Sequence, residues 1–103
     1  MVLERAKFEE VGGMDEETFA VDFNDVDLCL RLEKAGFENC VVAEATLIHA
    51  ESKSRGATKS GAALLQFERE LAALRKRWAT SGYHDPWFHP LFRTESQECQ
   101  LKF

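Results

Sequence analysis

The sequence has fewer basic than acidic residues, and it has no long apolar run. Its 103 residues carry a formal net charge of -5, which argues against a nucleic-acid-binding protein, because such proteins usually present a basic surface. The same charge argues against an anionic membrane surface as the main partner. No segment approaches the roughly 20 apolar residues that a transmembrane helix needs, and the first ten residues are too charged for a signal peptide. We therefore expect a cytoplasmic chain that is not transmembrane.

Cysteine is scarce, and internal repeats and low-complexity tracts are missing. Cys29, Cys40 and Cys99 form an odd set whose spacing does not match a metal site. We interpret them as buried or incidental thiols in a reducing compartment. Apolar residues make up 45% of the chain and include eight phenylalanines, so a single small unit with a modest core is possible.

Helical patterns surround a short β-type region. Residues 3–11 predict a short helix that Gly12 and Gly13 end. Asn24 is a predicted N-cap for an apolar helix that runs to about residue 35 and stops at Gly36. Residues 40–43 and 45–48 then read as two short strands, followed by a polar loop over residues 51–61.

The clearest helix covers residues 60–78, with Ser60 as its cap. Its apolar residues recur every three or four positions and share one stripe; they are Leu64, Phe67, Leu71, Leu74 and Trp78. The opposite face is predicted to be polar, with Gln66, Arg69, Glu70, Lys76 and Arg77. An aromatic, proline-containing segment without regular structure follows over residues 83–90. The expected fold class is α+β, with helices packed on a small two-stranded sheet and one long amphipathic C-terminal helix.

Two aspartates and one histidine are the first candidates for chemistry. Asp25 and Asp27 lie in the first turn of the predicted helix, where acids stabilise the helix dipole, and Asp27 can pair with Arg31 one turn on. Asp27 therefore suits a structural role, whereas Asp25 can face a cleft. His49 ends an apolar run and is either an ordinary surface or core histidine or a ligand for a divalent metal.

The loop over residues 52–56 offers a further candidate. Lys53 and Arg55 could bind phosphate, although an ordinary solvated loop is the simpler explanation. No complete set of metal ligands accompanies the two later histidines, and none is assigned there.

Taken in order, these blocks resemble the C-terminal half of family 2 glycosyltransferases with the GT-A fold. The blocks are residues 11–16, 23–32, 35–37, His49 and 52–56, and the later residues 77–78 and 85–90 are similar to the end of a bacterial subgroup that builds surface polysaccharides. The resemblance implies inverting transfer of a sugar from a nucleotide-sugar donor to a saccharide acceptor. Residues 1–56 would be the acceptor-side part of the domain, and residues 57–103 a long helix with an aromatic extension.

The resemblance also implies site residues. Asp25 would be the catalytic base, and Asn24 stands where the family often has a further acid. His49 would help to hold Mg²⁺ or Mn²⁺, and Ala50 replaces a second histidine that is common in the subgroup. Residues implied to line the donor and acceptor sites are Gly12, Gly13, Asp15 and Asn24, and those implied to contact the diphosphate are Lys53 and Arg55.

A nucleotide-binding half with an Asp-x-Asp motif does not precede these blocks, so the resemblance implies a fragment that is inactive alone. The alternative is a non-catalytic interaction module in which the helix over residues 60–78 and exposed apolar surface form a homodimer. A third reading, a small hydrolase that uses Asp25 and His49, is disfavoured because no nucleophile or oxyanion motif accompanies them.

Overall fold

The computed structural model describes residues 1–50, 60–83, 85–86 and 88–92. Within these residues the chain forms three helices: α1 (Arg5–Glu10), α2 (Asn24–Lys34) and α3 (Ala62–Trp78). The predicted phosphate-binding residues Lys53 and Arg55 lie outside the described part of the chain. No helix in the described ranges is both long and apolar enough to cross a membrane.

Glycines end α1 as predicted. Gly12 and Gly13 have φ angles of 85° and 72°, which side chains with a Cβ rarely adopt. The Gly13 amide donates to the carbonyl of Phe8 at 2.9 Å, and a Cβ on Gly13 would lie 3.2 Å from ring atoms of Phe8. The turn therefore needs a glycine at position 13 for both its backbone angle and its close contact with the phenylalanine ring.

The start of α2 differs from the prediction. Phe23, rather than Asn24, precedes the helix and adopts a left-handed conformation with φ 64°. Its ring lies 5.3 Å from the ring of Phe67 in α3, so packing between distant segments accompanies a backbone angle that a phenylalanine alone would disfavour. The predicted end is confirmed, because Ala35 is the C-cap and Gly36 follows with φ 94°.

The predicted third helix is confirmed, but not all residues of its predicted polar face are exposed. Gly61, rather than Ser60, is its N-cap. Leu74 is buried, while Leu64 on the predicted apolar stripe is 41% exposed. Glu70, assigned to the polar face, is only 3% exposed. Tertiary contacts, described below, therefore turn one predicted surface acid inward.

The predicted two-stranded sheet is wrong. No sheet forms in residues 1–50, 60–83, 85–86 and 88–92, and residues 40–48 are irregular, with a turn closed by a hydrogen bond from the Ala45 amide to the Val42 carbonyl at 3.2 Å. The fold is helical rather than α+β over the described chain. Two short strands without a packing surface are marginal in water, and Val41 and Ile48 are 97% and 98% exposed, so nothing in the described chain covers them.

The core is small and contains charges. Its buried apolar side chains are Phe19, Leu28, Leu32 and Leu74, and the buried charged side chains are Asp27 and Glu70. Burial of a charge is unfavourable unless hydrogen bonds or opposite charges compensate it. The hydrogen bonds of these two acids join α3 to α2 and to the segment between α1 and α2.

Candidate functional site

Asp27 lies at the centre of a polar cluster between α2 and α3. Its side chain is fully buried. It accepts hydrogen bonds from Arg31 Nε at 2.8 Å, Arg77 Nη1 at 3.0 Å and Trp78 Nε1 at 2.9 Å. The pairing of Asp27 with Arg31 confirms the structural role predicted for this acid, and the two donors from α3 extend it to a tertiary contact.

Arg77 joins the cluster to the loop that precedes α2. Its Nη2 lies 2.8 Å from Asp15 Oδ2 and donates to Thr18 Oγ1 at 3.3 Å. Its guanidinium carbon is 5.0 Å from the centroid of the Phe19 ring, within the range of a cation–π contact. We call Asp15, Asp27, Arg31, Arg77 and Trp78 the Asp27 cluster.

The contacts within the cluster stabilise the charged forms of the Asp15 and Asp27 carboxylates over their protonated forms. Burial opposes the charged form of Asp27, but hydrogen bonds from Trp78, Arg31 and Arg77 and the charge of Arg31 outweigh it, so the pKa of Asp27 lies below its ordinary value. The Thr18 amide and the Arg77 side chain lower the pKa of Asp15 to about 2. Bonds to Asp15 and Asp27 in turn raise the pKa of Arg77. All these groups therefore remain charged at neutral pH.

Glu70 is a second buried acid that links α3 to the same loop. Its carboxylate accepts from the backbone amides of Val21 at 3.2 Å and Asp22 at 2.6 Å, and from Gln66 Nε2 at 3.1 Å. The sequence pattern did not indicate this role, because the two backbone amides lie nearly 50 positions away in the chain. Glu70 therefore stabilises the approach to α2 rather than a solvent-exposed helix face.

Asp25 has a different environment from Asp27. It is exposed, and its Oδ1 accepts a hydrogen bond from the adjacent Val26 amide at 2.8 Å. Two positions on a helix differ by about 200° around its axis, which is why one acid of the pair points inward and the other outward. The structure thus separates the two aspartates as the sequence predicted, and the catalytic role of Asp25 stays a prediction.

A cavity of about 450 Å³ lies beside the cluster. Its lining includes Gly12 and Asp15, two of the residues predicted to line the substrate sites, together with Arg31 and Arg77. Gly13 and Asn24 do not line it: Gly13 is buried under Phe8, and Asn24 Nδ2 donates to the Phe19 carbonyl at 3.5 Å.

The two terminal nitrogens of Arg31 have different environments. Its Nη1 donates to the Val11 carbonyl at 2.6 Å, whereas its Nη2 is buried without a hydrogen-bond partner among the described residues. A buried donor without an acceptor is unfavourable. A ligand oxygen or a further protein group beside this cavity would remove that penalty.

The described residues do not assemble a metal site around His49. This histidine is exposed in the irregular segment that follows residue 45. In the described part of the chain, no group of three or more His, Cys, Asp or Glu side chains lies close enough to hold a metal ion. A metal at His49 would need ligands from elsewhere, so this assignment stays a prediction.

Two curated proteins resemble the chain over nearly its whole length. It is 36% identical over 101 residues, or 98% of the chain, to the uncharacterised protein y4gI of Sinorhizobium fredii. It is 35% identical over 102 residues, or 99% of the chain, to the O-antigen biosynthesis protein RfbC of Myxococcus xanthus. The chain spans only 11% and 8% of the lengths of these two relatives. No protein-family model matches the chain, and no solved structure matches it significantly.

Proposed function

We propose that the chain is the acceptor-side part of an inverting glycosyltransferase in surface polysaccharide synthesis, with Asp25 as the catalytic base. One observation carries the proposal: Asp25, in the first turn of α2, is exposed, whereas Asp27 in the same turn is buried and accepts three hydrogen bonds. The similarity to an O-antigen biosynthesis protein over 99% of the chain supports a role in polysaccharide synthesis.

The burial of Asp27 argues against it as the base. Three donors occupy its carboxylate, and its pKa is below the ordinary value. A general base must reach the proton it removes, and a buried carboxylate in ion pairs cannot do so. Asp25 is exposed and has one short-range bond to the next amide, so an acceptor hydroxyl can approach it.

The Asp27 cluster would position Asp25. It connects the first turn of α2 to α3 through Arg77 and Trp78, and it connects α2 to the preceding residues through Arg31 and Val11. A catalytic group gains rate from being held in one place relative to its substrate. In this arrangement, Asp27 anchors the helix and Asp25 contacts the acceptor.

The proposed reaction is a single displacement. Asp25 takes the proton of an acceptor hydroxyl while the acceptor oxygen bonds to the anomeric carbon of the donor sugar, and the bond from that carbon to the nucleoside diphosphate breaks. Attack from the face opposite to the leaving group inverts the anomeric carbon. Lys53 and Arg55 would contact the diphosphate.

Binding of a divalent metal would need ligands beyond those that the described residues supply. Mg²⁺ or Mn²⁺ would stabilise charge on the leaving diphosphate, but His49 supplies one ligand and the described residues offer no set of three. The remaining ligands and the nucleotide pocket would come from a nucleotide-binding half. We therefore propose that the 103-residue chain alone neither binds a nucleotide-sugar tightly nor transfers sugar.

Titration calorimetry tests the dependence on that half. UDP-glucose and GDP-mannose, each with Mn²⁺, should give no measurable heat of binding to the chain at concentrations up to about 1 mM, which is the scale of very weak binding. Micromolar binding of either donor would contradict the claim that the nucleotide pocket lies elsewhere.

A replacement experiment tests the base. The 102 matched residues of RfbC are exchanged for this chain, and O-antigen is measured on gels in a Myxococcus strain without its own RfbC. Asp25→Asn should abolish O-antigen, whereas Glu33→Gln, an exposed acid on the same helix, should not. In parallel, the RfbC residue that aligns with Asp25 is replaced by its uncharged amide in RfbC itself. Normal O-antigen with Asp25→Asn, or a non-acidic aligned residue in RfbC, would contradict the proposal.

The interaction-module reading has no specific support. Phe67 packs on Phe23, Leu74 is buried, and Trp78 donates to Asp27. These contacts use the apolar stripe of α3 within its own chain. We therefore do not put forward dimerisation through α3 as a second function.

A further inference from the structure

A cavity of about 540 Å³ lies between the residues that precede α1 and the C-terminal half of α2. Its lining includes Met1, Cys29 and Cys40, and both cysteines are free thiols. The whole chain has three cysteines and two methionines, so three of its five sulfur-containing side chains line this one cavity. Sulfur, which is scarce in the sequence, is therefore concentrated at one place in the fold.

Separate contacts bring these side chains to the cavity. Cys29 lies in α2, and its Sγ is 3.8 Å from the Sδ of Met1. Asn39 Nδ2 donates to the Cys29 carbonyl at 2.9 Å, which holds the neighbour of Cys40 against the same turn of α2. Helical periodicity gave no indication of this grouping, because the three sulfur-containing residues belong to three different segments of the chain.

The separation of the Met1 and Cys29 sulfurs fits two ligands of one metal ion. Two sulfur atoms that each lie about 2.3 Å from a metal are about 3.8–4.0 Å apart when the angle between the two bonds is about 110–120°. The distance between the two sulfurs in the structure is 3.8 Å. As a hydrogen bond this contact is weak, because a thiol is a poor donor and a thioether a poor acceptor. Metal binding would use the same distance for two stronger bonds.

The ligand types select a soft ion. Thiolate and thioether sulfur suit Cu(I), whereas Mg²⁺ and Ca²⁺ prefer oxygen ligands. Zn²⁺ in a structural site takes four ligands, and in the described ranges no group of three or more His, Cys, Asp or Glu side chains lies close enough to hold a metal. Glu4, which also lines the cavity, is paired with Lys7 Nζ at 3.1 Å. Two thiolates and one thioether are a sufficient set for Cu(I), which accepts fewer ligands than Zn²⁺.

We propose that Met1, Cys29 and Cys40 form a binding site for Cu(I), with two thiolates and one thioether as ligands. Each thiol releases its proton to the solvent as its sulfur binds the ion, and no electron is transferred. The exposed Cys40 and Met1 leave the site open to an incoming ion. The lining does not include Asp25, so this inference does not depend on the proposed function.

Competition with a copper(I) chelator tests the site. The chain is expressed behind a purification tag, which keeps Met1 in place, and is reduced and then titrated without oxygen against the Cu(I) complex of bicinchoninate. It should take up one Cu(I) per chain, and X-ray absorption should show sulfur neighbours around the ion. Because a ligand that binds the folded chain stabilises it, Cu(I) should also raise the urea midpoint.

The chain offers a matched control for each type of ligand. Cys29→Ser and Cys40→Ser should each weaken Cu(I) binding more than about hundredfold, since even groups outside a ligand set commonly cost about 10–100-fold when lost. Met1→Leu should weaken binding about tenfold, because a neutral thioether holds the ion less strongly than a thiolate. Cys99→Ser and Met14→Leu should bind as the parent does; Cys99 lies outside the described residues, and Met14 lines a different cavity.

The variants must retain the fold of the metal-free chain. Met1 and Cys40 are exposed, so circular dichroism and the urea midpoint of Met1→Leu and Cys40→Ser should match those of the parent. These two variants decide the question if Cys29→Ser, at a partly buried position, does not fold. Cu(I) should raise the urea midpoint of the parent but not that of Cys40→Ser.

Four results would each overturn the copper site. They are no uptake of Cu(I) from bicinchoninate by the reduced chain, parent-like affinity in Cys40→Ser, parent-like affinity in Met1→Leu, and an equal loss of affinity in Cys99→Ser. A disulfide between Cys29 and Cys40, in a chain that takes up no Cu(I) once reduced, would assign the two thiols to redox chemistry and would also overturn the proposal.

Discussion

Replacement of Asp27 by alanine should destabilise the protein more than any other single change to its acids. The substitution removes the acceptor shared by Arg31, Arg77 and Trp78. It leaves two guanidinium groups and one indole N–H without their common partner. The loss therefore affects the connection between α2 and α3 rather than one helix alone.

The magnitude follows from the exposure of the groups that remain. Removal of one partner from a fully buried ion pair costs about 3–5 kcal/mol. Here the side chains of Arg31 and Arg77 are 21% and 35% exposed, and Arg77 keeps its bond to Asp15, so water and Asp15 recover part of the loss. The unpaired indole donor adds about 1–3 kcal/mol. We expect a decrease of about 3 kcal/mol in the free energy of unfolding.

Urea unfolding measures this change. Domains of this kind unfold with a total free energy of about 5–15 kcal/mol, and the small core of this chain favours the lower end. With a urea dependence of about 1.5 kcal/mol per molar, the midpoint should fall by about 2 M. Fluorescence and circular dichroism should report the same transition, because Trp78 is part of the cluster and α2 and α3 hold most of the helix.

The matched control is Asp25→Ala. Asp25 is an exposed acid in the same helical turn, so its loss should cost no more than about 1 kcal/mol from the helix dipole and capping. Asp27→Asn, which keeps one acceptor oxygen, should fall between the two. Equal midpoints for Asp27→Ala and Asp25→Ala would show that the buried cluster does not stabilise the fold.

Three further predictions concern stability. Because the pKa values of Asp15 and Asp27 are lowered in the folded chain, the unfolded chain binds more protons in acid; the free energy of unfolding should therefore fall from about pH 5 towards about pH 2. Urea midpoints across that range check this, and Asp27→Asn should decline less steeply. Glu70→Ala should cost about 2–3 kcal/mol, since it removes the acceptor of two backbone amides; faster amide exchange in that loop is the second readout, and an unchanged midpoint would contradict the assignment. Gly12→Ala should cost about 1 kcal/mol from its positive φ alone, and Gly13→Ala should cost more because its Cβ meets the Phe8 ring. Equal thermal midpoints for the two alanine variants would argue against that close contact.

Local features of the fold could be predicted from the sequence. Gly12 and Gly13 after α1, Gly36 after α2, and the pairing of Asp27 with Arg31 all follow from rules that act within a few residues. The different environments of Asp25 and Asp27 were also predictable, because side chains two positions apart on a helix point in nearly opposite directions.

The candidate site could be predicted only in part. The ordered blocks pointed to Asp25, Gly12 and Asp15, and the structure places Gly12 and Asp15 at one cavity with Arg31 and Arg77. Neither the helical pattern nor the resemblance indicated that Arg77 and Trp78 both donate to Asp27. Helical periodicity placed Arg77 on a polar face, because periodicity registers the type of side chain and not a buried partner of opposite charge.

The sequence by itself determined where the helices stop and which of the two aspartates could be structural, since capping and one-turn pairing depend on neighbours in the chain. Tertiary structure alone decided that Phe23 precedes α2 in a left-handed conformation, with its ring beside that of Phe67. It also decided that Glu70 turns inward, and that residues 40–48 do not pair into a sheet within the described chain. The physical reason is separation: Asp27 meets Arg77 across 50 positions and Glu70 meets Asp22 across 48, and a strand forms only where another strand and a covering layer are within reach.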